Sequence, residues 1–122
     1  MEEVLKQTPG ANVQAFLIWE PILPSDLAKP GARVLARVSD RRAQQFWDPE
    51  HLFARQLAQR LRTDPAHPQP KCCDENDIPW DMVAVYPPGS RWESQLPRAS
   101  YLDGPVWRVA AEFKMAVNSP RP

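Results

Sequence analysis

Cys72 and Cys73 are adjacent, and they are the only thiols in the chain. A thiolate is the strongest nucleophile and softest metal ligand among side chains. A neighbouring pair therefore offers thiol–disulfide redox chemistry, exchange with a partner thiol, or chelation of a soft ion such as Hg²⁺, Cu⁺ or arsenite. Adjacent Cα atoms lie about 3.8 Å apart across a trans peptide, whereas ordinary disulfides span roughly 4.4–6.8 Å. A Cys72–Cys73 bridge is expected to be strained and easily reduced, which suits a switch better than a staple. Lys71 favours the thiolate, and Asp74 and Glu75 oppose it. Tandem spacing alone is unspecific, so the same residues also read as two loop cysteines with no role.

Position favours the chemical reading. The pair lies six and seven residues before Pro79, in the Pro-rich segment 66–76, read as loop. Ile78, Pro79, Trp80 and Asp81 follow at the entry to an apolar strand, where any chemistry of this chain is expected. Asp81, beside Trp80, is the carboxylate to watch, because burial there would raise its pKa, although a surface strand-end carboxylate is the ordinary case. Asp48 is better read as a helix cap and Asp77 as a turn residue. His67 and His51 add borderline ligands near the thiols, but paired Cys-x-x-Cys knuckles are absent, so no metal site is expected. Neither a phosphate-binding glycine loop nor a Gly-x-Ser-x-Gly elbow occurs, and no cofactor is expected.

These residues need elements to hold them. Met1 to Gln7 reads as a helix ended by Pro9-Gly10. Val13 to Trp19 is a nearly unbroken apolar run, expected as a strand buried on both faces. Pro21 to Gly31 is loop, with Ser25-Asp26 capping a short turn. Ala32 to Val38 has apolar residues at helical spacing, and Ala43 to Trp47 reads as an edge strand. Asp48-Pro49-Glu50 signals a helix running to about Leu61, with Phe53, Leu57 and Leu61 on one stripe. Met82 to Tyr86 is the best buried strand of the second half. The Pro87-Pro88-Gly89-Ser90 turn then leads to Arg91-Trp92-Glu93 as an antiparallel partner. Leu96 to Asp103 reads as loop. A last helix starts at Gly104-Pro105, shows Val106, Val109, Ala110, Phe113 and Val117 on one face, and ends at Asn118 and Pro120.

Helices alternating with strands predict one α/β domain over residues 1–122, a mixed sheet flanked by helices. Three pieces resemble the thioredoxin-fold superfamily, in particular its peroxiredoxin-like and membrane-anchored reductase-like relatives. Phe46-Trp47-Asp48-Pro49-Glu50-His51-Leu52-Phe53-Ala54-Arg55-Gln56-Leu57 is similar to their strand, Asp, turn, helix step. Ile78-Pro79-Trp80-Asp81-Met82-Val83-Ala84-Val85-Tyr86-Pro87-Pro88-Gly89 is similar to their cis-proline loop and following strand. Tyr101-Leu102-Asp103-Gly104-Pro105 is similar to the start of their final helix. The resemblance covers roughly residues 13 to 117. It implies a cis peptide at Pro79, with Ile78 offering its backbone to an extended substrate segment. The family's first strand and Cys-x-x-Cys are missing, so its dithiol chemistry does not carry over: either the redox motif and its strand are lost, or the fold is truncated at its N-terminal side.

Two functions follow as expectations. One is a thiol–disulfide oxidoreductase-like protein working through Cys72 and Cys73 on a protein or peptide thiol. The other is a non-catalytic binding or accessory domain docking a peptide at Ile78, Pro79 and Trp80; soft-ion binding ranks third. An open sheet edge beside Val13 to Trp19 would invite a second copy of the chain. The 15 basic and 15 acidic residues balance, which argues against nucleic acid or an anionic membrane as partner. The local Arg33, Arg37, Arg41 and Arg42 cluster reads as a solvated face. With no apolar run of membrane-spanning length and no secretory leader in the acidic start, a soluble cytoplasmic protein is expected. The 15 prolines predict short elements and long connections, and the five tryptophans are largely explained by core packing.

Overall fold

A computed structural model describes residues 1–75 and 78–119. The chain forms two compact units, Met1–Phe53 and Ala54–Pro122. Helices and strands mix in both, so the chain is α/β. The strands described pair two by two rather than in one sheet.

In the first unit, α1 (Glu2–Gln7) carries Glu2 and Glu3 in its first turn and Lys6 in its last, the order a helix dipole favours. It buries Val4 and Leu5. Strands β1 (Ala15–Trp19) and β2 (Ala43–Trp47) run parallel in register, Ala15 opposite Ala43 through Trp19 opposite Trp47. Between them lie a 3-10 turn (Pro24–Asp26) and α2 (Ala32–Leu35), one turn shorter than the spacing predicts. The Gln45 side chain ties these parts together. Its Oε1 accepts from Trp19 Nε1 at 2.9 Å, and its Nε2 donates to Leu35 O at 2.8 Å.

The expectation that β1 is buried on both faces fails. Phe16 is 56% exposed and Phe46 47%, and their rings sit 6.0 Å apart on one side of the pair. The other four residues of β1 are half-buried. Arg42 also departs from its expected solvated face. Its guanidinium donates to Leu5 O, Thr8 O and Ala11 O at 2.6, 2.7 and 3.2 Å. The carbonyls at and just past the C-terminal end of α1 carry the negative end of the helix dipole, which attracts such a cation.

Helix α3 (Leu52–Thr63) begins later than Asp48-Pro49-Glu50 implies. Asp48 is the cap, as expected, but it acts across a gap: Oδ1 accepts from Leu52 N–H and Oδ2 from Phe53 N–H, both at 2.9 Å. His51 stands between them with φ of 56°. That left-handed residue stops a helix from starting at Pro49.

In the second unit, α3 contributes buried Ala54, Leu57 and Ala58. Strand β3 (Asp74–Glu75) lies within the segment 66–76 expected to be loop, and it pairs antiparallel with β4 (Ile78–Pro79). Strand β5 (Val83–Val85) pairs antiparallel with β6 (Tyr101–Asp103), Val83 opposite Asp103 and Val85 opposite Tyr101. Arg91-Trp92-Glu93 is therefore not the partner of β5. The turn closed by Ser90 N–H to Pro87 O carries the chain into an exposed run, residues 91–95. The chain returns to β5 only at Ser100, whose N–H donates to Val85 O at 2.7 Å. Helix α4 (Ala110–Asn118) packs on β5 and buries Phe113 and Val117. Its start is six residues past Gly104, because 106–109 form a turn held by Pro105 O. The Asp77 turn and the Pro120 helix stop lie outside the described residues.

Two buried polar side chains brace this unit. Asp64 accepts from Arg98 Nε at 2.7 Å and Nη2 at 2.8 Å, a bidentate fork. His67, 2% exposed, uses both ring nitrogens: Nδ1–H donates to Pro68 O at 2.9 Å, and Nε2 accepts from Ala99 N–H at 3.2 Å. Among the described residues, no helix is long and apolar enough to cross a membrane.

Candidate functional site

Cys72 and Cys73 are joined by a vicinal disulfide, their Cα atoms 3.7 Å apart. Both are half-buried. Cys73 takes a φ of 75°, a left-handed backbone that non-glycine residues seldom adopt. The surrounding segment holds it there. Directly after Cys73 the chain enters β3, and β4 pairs back with Asp74 opposite Pro79. The Trp80 N–H then donates to Cys73 O at 2.8 Å. The hairpin thus places the Trp80 backbone against Cys73.

The other side is pinned by Asp103. Its Oδ1 accepts from Lys71 N–H at 3.0 Å and from Gly104 N–H at 2.9 Å. The Lys71 bond first, then that of Gly104, holds the Asp103 carboxyl below its ordinary value despite some burial. Asp81 is clamped through its backbone. Its carbonyl accepts from Val106 N–H at 3.1 Å, and a Cβ on Gly104 would lie 2.7 Å from that same oxygen. Glycine at 104 is what lets the β6 end approach Asp81 so closely. Cys72, Cys73, Ile78, Pro79 and Trp80 are therefore gathered in one hairpin, with Asp81 at its exit.

The cis-proline position differs from expectation. The cis X–Pro bond among the described residues is Gly104–Pro105, not Ile78–Pro79. Ile78 and Pro79 are strand residues paired with β3, and extended ladder backbone is served by a trans peptide. Pro79 is buried, whereas Trp80 keeps 39% of its surface exposed. Asp81 is exposed with φ of 50°, the surface carboxylate of the two readings open for it. His67 cannot join the thiols as a ligand while both its nitrogens are bonded, and no described group of three His, Cys, Asp or Glu residues is placed to hold a metal ion.

Sequence reasoning found the thiols and the Ile-Pro-Trp segment but missed Asp103 and Gly104 as anchors. Their sole signal was an Asp-Gly-Pro string, which reads equally well as a helix start. No family model, no curated protein and no solved structure matches the chain.

Proposed function

We propose that this protein handles thiols by reversible oxidation and reduction of Cys72 and Cys73, as a thioredoxin-like protein of non-standard type. The observation that carries the reading is the vicinal pair itself, bonded to each other within a half-buried hairpin. Trp80, exposed beside it, offers an aromatic surface to a protein or peptide partner.

The reaction is a thiol–disulfide exchange. A partner thiolate attacks one sulfur of the pair, the Cys72–Cys73 bond breaks, and the second sulfur leaves as a thiolate. A second partner thiol then attacks the mixed disulfide. The partner gains a disulfide, and Cys72 and Cys73 are left as two thiols. Run backward, the same steps oxidise the pair. Either sulfur is adjacent to the other, so the resolving thiolate is already in place.

The test is exchange with a small dithiol peptide, followed by trapping of free thiols. Wild type is expected to oxidise the peptide by one disulfide per chain. Cys72→Ser and Cys73→Ser each lack the disulfide that accepts the electrons and are expected not to oxidise the peptide. Equal peptide oxidation by wild type and both variants would refute the proposal.

The alternative is a peptide-docking accessory domain, favoured by the exposed Trp80. Partner capture that is lost in Trp80→Ala and retained in Cys72→Ser would select it.

A further inference from the structure

Glu20 follows the last residue of β1, and Asp48 follows the last residue of β2. The Asp48 N–H donates to Trp19 O at 2.7 Å, so the parallel ladder continues to these two carboxylates. The carboxyl ends of adjacent parallel strands are where α/β proteins form ligand crevices. His51 is brought to this end by its left-handed backbone, and its Nδ1 lies 3.0 Å from Glu20 Oε2.

We propose that Glu20 and His51 form a carboxylate–imidazole dyad, with Nε2 offered as proton acceptor to a ligand bearing a weakly acidic hydroxyl or thiol. Three observations support it. The first is the contact itself. With Nδ1–H donating to the carboxylate, the lone pair lies on Nε2, facing away from Glu20. The second is that both side chains are largely enclosed, 15% exposed for His51 and 13% for Glu20, so the pair is held rather than swinging in water. The third is the difference between the chain's two histidines. His67 has both nitrogens engaged, whereas no described group bonds His51 Nε2.

Asp48 does not compete for the imidazole. Both its oxygens are taken by the Leu52 and Phe53 N–H groups. Burial raises the Glu20 carboxyl, the His51 contact opposes that rise, and the Asp48 charge adds to it. In the proton transfer the ligand X–H bond breaks. Its proton goes to the Nε2 lone pair, the bonding electrons stay on X, and the imidazolium is held by the Glu20 carboxylate.

The test uses diethyl pyrocarbonate on the full chain, with the modified histidines mapped by mass spectrometry. His51 is expected to react faster than His67, and Glu20→Gln to slow His51 about tenfold, the low end for losing a carboxylate that orients an imidazole. Nitrogen NMR of the wild type is expected to place the neutral proton on Nδ1 of His51. His51 reacting no faster than His67, an unchanged rate in Glu20→Gln, or a neutral proton on Nε2 would each overturn the dyad. The NMR arm needs no variant and stands if Glu20→Gln does not fold.

Discussion

The Trp80 N–H donates to the carbonyl oxygen of Cys73 across 2.8 Å, directly linking the disulfide residue to the Ile-Pro-Trp segment. Cys73 holds a left-handed backbone at that point, φ 75°. Opening the disulfide removes one of the constraints on that conformation. The Trp80 amide is expected to exchange slowly with solvent in the oxidised protein and faster after reduction. Hydrogen exchange followed at Trp80 checks this, with equal rates in the two states as the contrary result.

Asp48 supplies both first hydrogen bonds of α3, to Leu52 and Phe53. Asp48→Ala leaves those N–H groups without an acceptor. The expected loss is about 1–2 kcal/mol of stability, the usual range for a helix cap. Urea unfolding of the variant against wild type measures it. A loss within about 0.5 kcal/mol, ordinary for surface changes, would mean water replaces the cap.

This cap also shows how much could be read beforehand. Asp48 was legible because capping depends on neighbours a few residues away. The start of α3 was not, since Pro49-Glu50 is a good helix opening and only the left-handed His51 prevents it. Strands β1, β2 and β5 were legible from their apolar content. The partner of β5 was not: Arg91-Trp92-Glu93 reads as the strand and Tyr101-Leu102-Asp103 as loop, and pairing depends on contacts across the fold. In the site, Cys72 and Cys73 stand out by type alone. Asp103 does not, because its role is one side-chain bond to Lys71, 32 residues away.

Acid is expected to destabilise the protein. The Arg42 side chain, then its N–H, holds the Asp40 carboxyl down from 3.8 to about 2. The Arg98 fork, with smaller help from Ala66 and Arg60, holds Asp64 below 3.8. A carboxyl whose folded pKa is depressed stabilises fully above its unfolded value and loses that contribution as pH falls through the folded one. The urea midpoint is therefore expected to drop as pH falls from 3.8 toward about 2. Arg98→Met is expected to flatten part of that drop. A midpoint equally pH-dependent in wild type and variant would contradict the Asp64 assignment.

The Tyr86 and Tyr101 hydroxyls are buried without a hydrogen-bond partner among the described residues. Burial pushes Tyr86 up to about 12. Spectrophotometric titration is expected to show one of the two tyrosines ionising only near that value. Tyr86→Phe removes an unsatisfied polar atom while keeping the ring, so it is expected to be neutral or to stabilise by up to about 1 kcal/mol. A loss of more than about 1 kcal/mol on thermal unfolding would reveal a partner for the hydroxyl.

The redox claim rests on Cys72 and Cys73, and intact-mass measurement after differential alkylation addresses it most directly. The native protein is equilibrated in glutathione buffers of graded poise, and free thiols are then trapped. The proposal predicts a single reversible transition between no label and two labels per chain, centred within the buffered range and absent in Cys72→Ser. Two labels at every poise, or none at any, would contradict it.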